Sequence, residues 1–423
     1  MSGLNSNFLT LLRVHLVSVL KLPKRIIRPN KTNRRSDQRM SSAKLDQFQT
    51  SGRPTWAEID LENLGANFNV IKKRIGAERR IMSVVKANAY GHGAVGCARR
   101  LAHEGTHWFG VALPEEGIEL RDSGIAQPIL SLGGFWDTQA SACIQHQLTP
   151  VVYRLDMIQA LNQAARAAGV VADVHVKIDT GMGRLGIRFD QIGEFVDGLR
   201  QFENIRVDGL LTHFAAADDP SCKPLTQDQI TRFDEAVKFF RERGYRPTHL
   251  HLANSPGVWG HSEGWGNMVR PGGALYGLWR DILPPAAEKP GLAPVMSLYS
   301  RITLLKWVPQ GETIGYGCTF EASRKSLIAT LPVGYDDGYM RGLSNRAHVI
   351  VRGTYAPVVG RVSMDFVLID VTNVEAAEVG DKVTLIGQEG ELKIPAEDLA
   401  KIAGTLSYEV TCGISERVPR LYV

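Results

Sequence analysis

The chain is poor in cysteine, lacks long apolar runs and, beyond its first fifty residues, carries no excess of positive charge. Its five cysteines (Cys97, Cys143, Cys222, Cys318 and Cys412) are odd in number and widely spaced. That excludes a disulfide framework, and without a CxxC pair or a Cys/His cluster no metal site is expected. They read as reduced, cytoplasmic-type thiols. No stretch approaches the roughly 18 consecutive apolar residues of a transmembrane helix, so no membrane association is expected. The formal charge of +5 is unevenly spread: the first 50 residues hold ten Lys/Arg against two Asp/Glu, leaving −3 on the other 373. The body therefore has no basic surface suited to nucleic acid. An early G-x-G-x-x-G loop after a strand is also missing, which counts against a doubly wound dinucleotide fold.

What is present is enough for a large core and two domains: 423 residues, 44% of them hydrophobic. Residues 1–53 are set apart as a basic extension, expected to be disordered and without catalytic consequence. Its apolar stretch, 8–20, is broken by Arg13 and His15 and lacks the leading charges and cleavage site of a secretory signal. A transit peptide, or sequence upstream of a start at Met40, are the alternatives.

From residue 81 onward, strand-like apolar runs alternate with helix-like segments. The strands expected are 81–85, 107–112, 128–133, 149–153, 173–178, 207–213, 248–253 and 268–276. Amphipathic stretches such as 155–168 and 226–243 separate them, the second opening on Thr226 as a candidate N-cap and closing at Gly244. Eight such strands predict an α/β fold, a (β/α)8 TIM-type barrel over 54–290. From about 295 the pattern turns to short β runs (298–308, 326–333, 348–352, 357–371, 382–386 and 416–423), with one helix near 395–403. This predicts a C-terminal all-β domain over 291–423, reached through a linker rich in proline (Pro284, Pro285, Pro290 and Pro294).

Lys86 ends the first barrel strand, in Ser-Val-Val-Lys-Ala-Asn-Ala-Tyr-Gly-His-Gly. Burial at a strand end drives a lysine toward its neutral, nucleophilic form, which condenses with aldehydes. Pyridoxal 5′-phosphate (PLP), held as a Schiff base, is the aldehyde such a lysine most often holds. Tyr90 can give a hydroxyl to the phosphate, and Gly91 and Gly93 allow close backbone approach. Other strand ends of the barrel carry Lys177 and Arg184, His213, Ser255 and Arg270. Taken singly, His213 reads equally as a core histidine and Arg184 as a surface charge. Their shared rim argues for one site. Ser255, with the N–H groups of Gly272 and Gly273, would supply neutral phosphate donors where barrels often bind phosphate.

With these residues in place, the chain from Thr55 to Val423 resembles the alanine racemases, PLP enzymes that join a barrel to a β domain. The segments V-V-K-A-N-A-Y-G-H-G, I-D-T-G-M-G-R, T-H-F-A, R-P-G, Y-G-x-T-F, G-R-V-S-M-D and R-V-P-R carry the resemblance. It implies that Lys86 is the Schiff-base lysine and that Tyr90, Ser255, Gly272, Gly273 and Tyr408 hold the phosphate. Arg184 would contact the phenolic oxygen and Arg270 the pyridine nitrogen. It further implies a homodimer with shared sites, in which Tyr316 of the partner subunit is the second base and Met364 lines the substrate carboxylate site. His213 would couple Tyr316 to Arg270, and Lys177 matches a lysine that is carbamylated in some members. Gly273 stands where a larger apolar residue is common, and Ser363 where cysteine often occurs. The expected activity is interconversion of L- and D-alanine, supplying D-alanine for peptidoglycan. A decarboxylase of the same barrel fold is the rival, though Arg270 at the ring nitrogen argues against it. A non-catalytic PLP-binding barrel would need no β domain.

Overall fold

The structure is a computed structural model that describes residues 52–285 and 290–423. The reading of the N-terminal extension falls outside the described residues, apart from Gly52 and Arg53.

The barrel strands are β2 (Arg80–Val84), β3 (Trp108–Val111), β4 (Ile129–Ser131), β5 (Thr149–Val152), β6 (Ala172–Asp179), β7 (Ile205–Leu211), β8 (His249–His251) and β9 (Met268–Val269). They run parallel in sequence order, and β9 returns to pair with β2. Between β8 and β9, the N–H groups of Asn267 and Arg270 reach the Leu250 and Ala253 carbonyls at 3.0 and 2.9 Å and nearly close the ring. Parallel strands buried on both faces need no polar alternation, which is why they read as plain apolar runs. Met82, Trp108, Leu130, Val151, Leu211 and Met268 form one buried cluster across six of the eight strands.

The helix Leu61–Ile75 precedes the first barrel strand and packs against Ala94–Glu104. Asp60 caps it, accepting from the Asn63 N–H at 2.8 Å. Leu64, Phe68, Ile71 and Ile75 recur at helical spacing and bury one face. Leu155–Ala168 is helical as expected. The helix expected at 226 begins instead at Lys223, with Pro224 in its first turn. Thr226 therefore does not cap it; it lies inside, buried. A proline tolerated in the first turn was the stronger start signal.

The second domain is built on a largely antiparallel sheet, but one side of it comes from both ends of the described chain. Strand β1 (Thr55–Ile59), inside the span expected for the barrel, pairs antiparallel with β10 (Met296–Arg301), Trp56 opposite Tyr299. On its other edge it pairs parallel with the final strand, Arg420–Tyr422. The run expected as one strand, 298–308, is two strands in different sheets: β10, and Leu304–Val308, which pairs with Ser326–Leu331. The expected 357–371 strand likewise divides into Thr354–Pro357 and Val367–Asp370. The loop between them carries Ser363, Met364 and Asp365. Of 268–276 only Met268–Val269 is strand, and the rest turns through a short 3-10 segment, Gly273–Tyr276.

Candidate active site

Lys86 follows β2, and the chain after it makes a turn that L-residues avoid. Ala87, Asn88, Ala89 and Tyr90 all have φ between 52 and 55°. Each such residue costs roughly 1–2 kcal/mol, so the neighbours must hold the turn in place. Glu116 accepts from the Ala87 N–H at 2.6 Å, and Asn88 accepts from the Ala94 N–H at 2.7 Å. Gly91 and Gly93 are needed for a different reason than phosphate approach. A Cβ on Gly91 would strike the Thr411 carbonyl, and one on Gly93 the Tyr422 hydroxyl. The loop is thus clamped against the second domain, and Arg420 fastens it further by donating to the Gly91 carbonyl at 3.1 Å.

Lys86 and Tyr90 line a cavity of about 600 Å³ at the strand ends, shared with Lys177, Arg184 and His213. Ser255, Arg270, Gly272 and Tyr408 line its remaining wall. Burial, and then the Arg184 guanidinium, lowers the Lys86 pKa below the ordinary lysine value. Lys177 falls to about 8 through burial and the nearby Arg270 and Arg184 cations. Burial raises the Tyr90 and Tyr408 phenols, so both remain protonated donors. Ser255 Oγ accepts from the Gly272 N–H at 2.9 Å and the Ala274 N–H at 3.3 Å, leaving its own proton to donate. Gly272 is therefore already engaged with Ser255. A Cβ there would meet Tyr90 Oη at 2.3 Å, and one on Gly273 would meet Tyr408 Cε1 at 2.3 Å. The two glycines make room for the two phenols, and Tyr408 fills the space a larger residue at 273 would take.

Arg270 is buried and held by five protein groups. Its Nη1 donates to the His251 carbonyl at 2.7 Å and lies 3.1 Å from His251 Nδ1. Its Nη2 donates to the carbonyls of Thr212 and Leu252 at 2.7 and 2.8 Å and lies 3.3 Å from His213 Nδ1. Among the described residues Nε–H has no protein acceptor. Burial lowers the arginine's pKa, yet it remains a cation at neutral pH. His213 is pushed well below the usual histidine range by burial and by Arg270, so it is neutral.

Tyr316 and Met364 stand apart from this cavity. They are 72% and 51% exposed on the second domain, where Tyr335 and Phe366 are exposed as well. Asp365, beside Met364, is bound by Arg417 at 2.7 Å, and Arg417 also pairs with Asp336. Sequence reading overlooked Glu116, Asn254 and His251. Asn254 caps the turn after β8 by accepting from Gly257 N–H at 3.1 Å. Its place in Ala-Asn-Ser-Pro was the available cue. Glu116 and His251 had none, because their partners are distant in sequence.

A lysine of lowered pKa, three hydroxyl donors and a buried arginine thus surround one cavity, and three comparisons with known proteins give the chain's family. Residues 59–279 match the family model of the alanine racemase N-terminal domain, and residues 295–422 that of the C-terminal domain. The chain belongs to the alanine racemase family. It is 45% identical to the alanine racemase of Halothermothrix orenii over 372 residues, 88% of this chain and 97% of that protein. Among solved structures, the alanine racemase of Clostridium difficile 630 superposes with a TM-score of 0.81 at 38% identity, covering 88% of this chain and 96% of that one. The alanine racemase of Streptomyces coelicolor gives a TM-score of 0.82 at 36% identity, covering 88% and 98%. Alanine racemase family membership thus spans both the barrel and the β domain.

Proposed function

We propose that the protein interconverts L- and D-alanine with bound pyridoxal 5′-phosphate, in a homodimer whose two active sites each draw on both subunits. The observation that carries this reading is the convergence, in one cavity, of Lys86, the neutral phosphate donors and the unclaimed Nε–H of Arg270. The donor set fits the cofactor. Ser255, Tyr90 and Tyr408 can hold a phosphate without adding charge, and the backbone at Gly272 and Gly273 brings them close. Arg184 would contact the phenolic oxygen, and Arg270 Nε–H the pyridine nitrogen.

When bound, the cofactor supplies an electron-withdrawing ring that stabilises negative charge at the substrate Cα. Arg270 tempers this: its fixed positive charge disfavours protonation of the ring nitrogen, so proton return is favoured over transamination. Inversion needs a proton removed from one face and another returned on the opposite face. Lys86 Nζ, its pKa lowered, serves one face. Tyr316 of the partner subunit serves the other, with His213 and Arg270 favouring its ionised form. Met364 of the partner subunit lines the substrate carboxylate site. The exposure of Tyr316, Tyr335, Met364 and Phe366, all large side chains with apolar surface, is in keeping with this assembly. Among the described residues no helix is long and apolar enough to cross a membrane. We assign the enzyme to the cytoplasm, as a source of D-alanine for peptidoglycan.

The test is chiral chromatography of products from L-alanine, with L-serine and L-lysine in parallel and PLP added or withheld. PLP-dependent conversion of alanine supports the reading. A PLP-loaded protein that racemises none of the three overturns it.

A further inference from the structure

Three histidines lie inside the barrel, on the side of Arg270 away from the site. His175 on β6 and His251 on β8 are fully buried, and His249 on β8 nearly so. His251 Nε2 lies 2.9 Å from His175 Nδ1, and His175 Nε2 lies 3.9 Å from an Asp208 oxygen on β7. With Arg270 at the other end, this is a continuous line: Asp208, His175, His251, Arg270.

A guanidinium only donates and a carboxylate only accepts, so Arg270 and Asp208 favour the same direction from the two ends of the line. His251 Nδ1 must accept from Arg270, so the His251 proton sits on Nε2. That proton points at His175 Nδ1, which must accept in turn, and the His175 proton is forced onto Nε2. This Nε2 has no hydrogen-bond partner within ordinary distance and faces the Asp208 carboxylate. Both histidines are kept neutral by burial. Asp208 is held ionised, at about 2, by His175 before any other group. His249 Nε2 is 3.4 Å from the same carboxylate, but its ring also meets Arg80 Nη1 at 3.1 Å.

His175, Asp208 and His249 also converge closely enough to suggest a metal site. The hydrogen-bond direction excludes one. A metal on His175 Nε2 would move that proton to Nδ1 and force His251 to carry its own on Nδ1, against the Arg270 donor. Arg80 adds a second cation beside the cluster.

We propose that Asp208 is a positioning residue: facing His175 Nε2 from the far end of the line, it reinforces the tautomers that Arg270 requires and so helps to hold Arg270 in its working orientation. The inference rests on the assignment of Arg270 to the cofactor ring nitrogen, but the tautomers can be tested without it. Asp208 touches neither cavity nor substrate, and it acts by removing the alternative in which His175 points a lone pair outward. If Arg270 is freed to turn, its grip on the ring nitrogen loosens and transamination competes with proton return.

The experiment is long-range 15N–1H NMR of the full-length holoenzyme labelled with 15N-histidine, assigned with His175→Gln and His251→Gln. In the unaltered protein both rings are expected as the Nε2–H form. Either ring found as Nδ1–H overturns the proposal, without any variant having to fold. Asp208→Ala should mix the His251 tautomers, lower kcat about tenfold with little change in KM, and raise the fraction of turnovers ending in transamination. Asp208→Asn keeps an acceptor and should restore the tautomers and most of kcat. Unchanged tautomers and an unchanged transamination fraction in Asp208→Ala refute the relay. A wild-type enzyme that fails to racemise alanine but shows both Nε2–H forms refutes the functional reading and leaves the line of tautomers standing.

Discussion

Lys86 lines the cavity of its own chain, whereas Tyr316 is 72% exposed and does not line that cavity. This separation makes a shared active site open to a quantitative test. Lys86→Ala removes one base and Tyr316→Phe the other, and each homodimer then carries the same lesion in both sites. Loss of a positioned acid–base group costs roughly 10²–10⁴-fold, so both parents should be nearly inactive. When equal amounts are mixed and the subunits exchanged, about half of the dimers pair one of each in a two-fold symmetric assembly. In such a dimer one site has both lesions and the other has neither. Half the dimers with one intact site of two restore about a quarter of wild-type activity, against near zero in either parent. The assay is racemisation of L-alanine before and after exchange, with the mixed dimer verified by differently tagged subunits. If Tyr316 served the cavity of its own chain, every site in the mixed dimer would still carry one lesion. Mixed dimers without recovered activity would therefore refute the shared site.

Gly272→Ala is expected to weaken cofactor retention. A Cβ there would approach Tyr90 Oη to 2.3 Å. Displacing that phenol should cost about 1–3 kcal/mol, or about tenfold or more in the PLP dissociation constant by equilibrium dialysis. An unchanged constant would remove Tyr90 from the phosphate site. Acid stability gives a separate prediction. Burial depresses His92 and His249 to about 4, and His175, His213 and His251 also lie below the ordinary value. In the unfolded chain these groups titrate near about 6.5, so in that window the unfolded state binds more protons. Their contribution is complete above about pH 6.5 and is lost as pH falls toward the folded values, by up to about 1.4 kcal/mol per pH unit for each histidine. Thermal melts should drop steeply from about pH 7 to about pH 5, and a flat melting temperature across that range would contradict the buried, neutral histidines.

Much of this protein was legible in the chain because the signals are local. Apolar runs at barrel spacing, a lysine at a strand end and glycine turns at the rim depend on residues close in sequence. Family likeness added the roles proposed for Tyr316 and Met364, which no periodicity reveals. Other features depended on partners far along the chain. Thr55–Ile59 reads as the opening of the barrel, yet it lies in the other sheet, because its edges are completed by strands some 240 and 360 residues away. The left-handed turn at Ala87–Tyr90 had no cue in residue type, since alanine and tyrosine do not favour positive φ. Contacts from Glu116 and the second domain impose it. Asp208, His175 and His251 look like unremarkable core positions until three strands bring them into line with Arg270. Sequence alone indicated most of the elements and the candidate site residues, since these follow from local pattern, residue type and family likeness. Tertiary structure alone decided the strand partners and the buried polar contacts, because sheet edges and hydrogen-bond partners are settled by whatever lies across the fold.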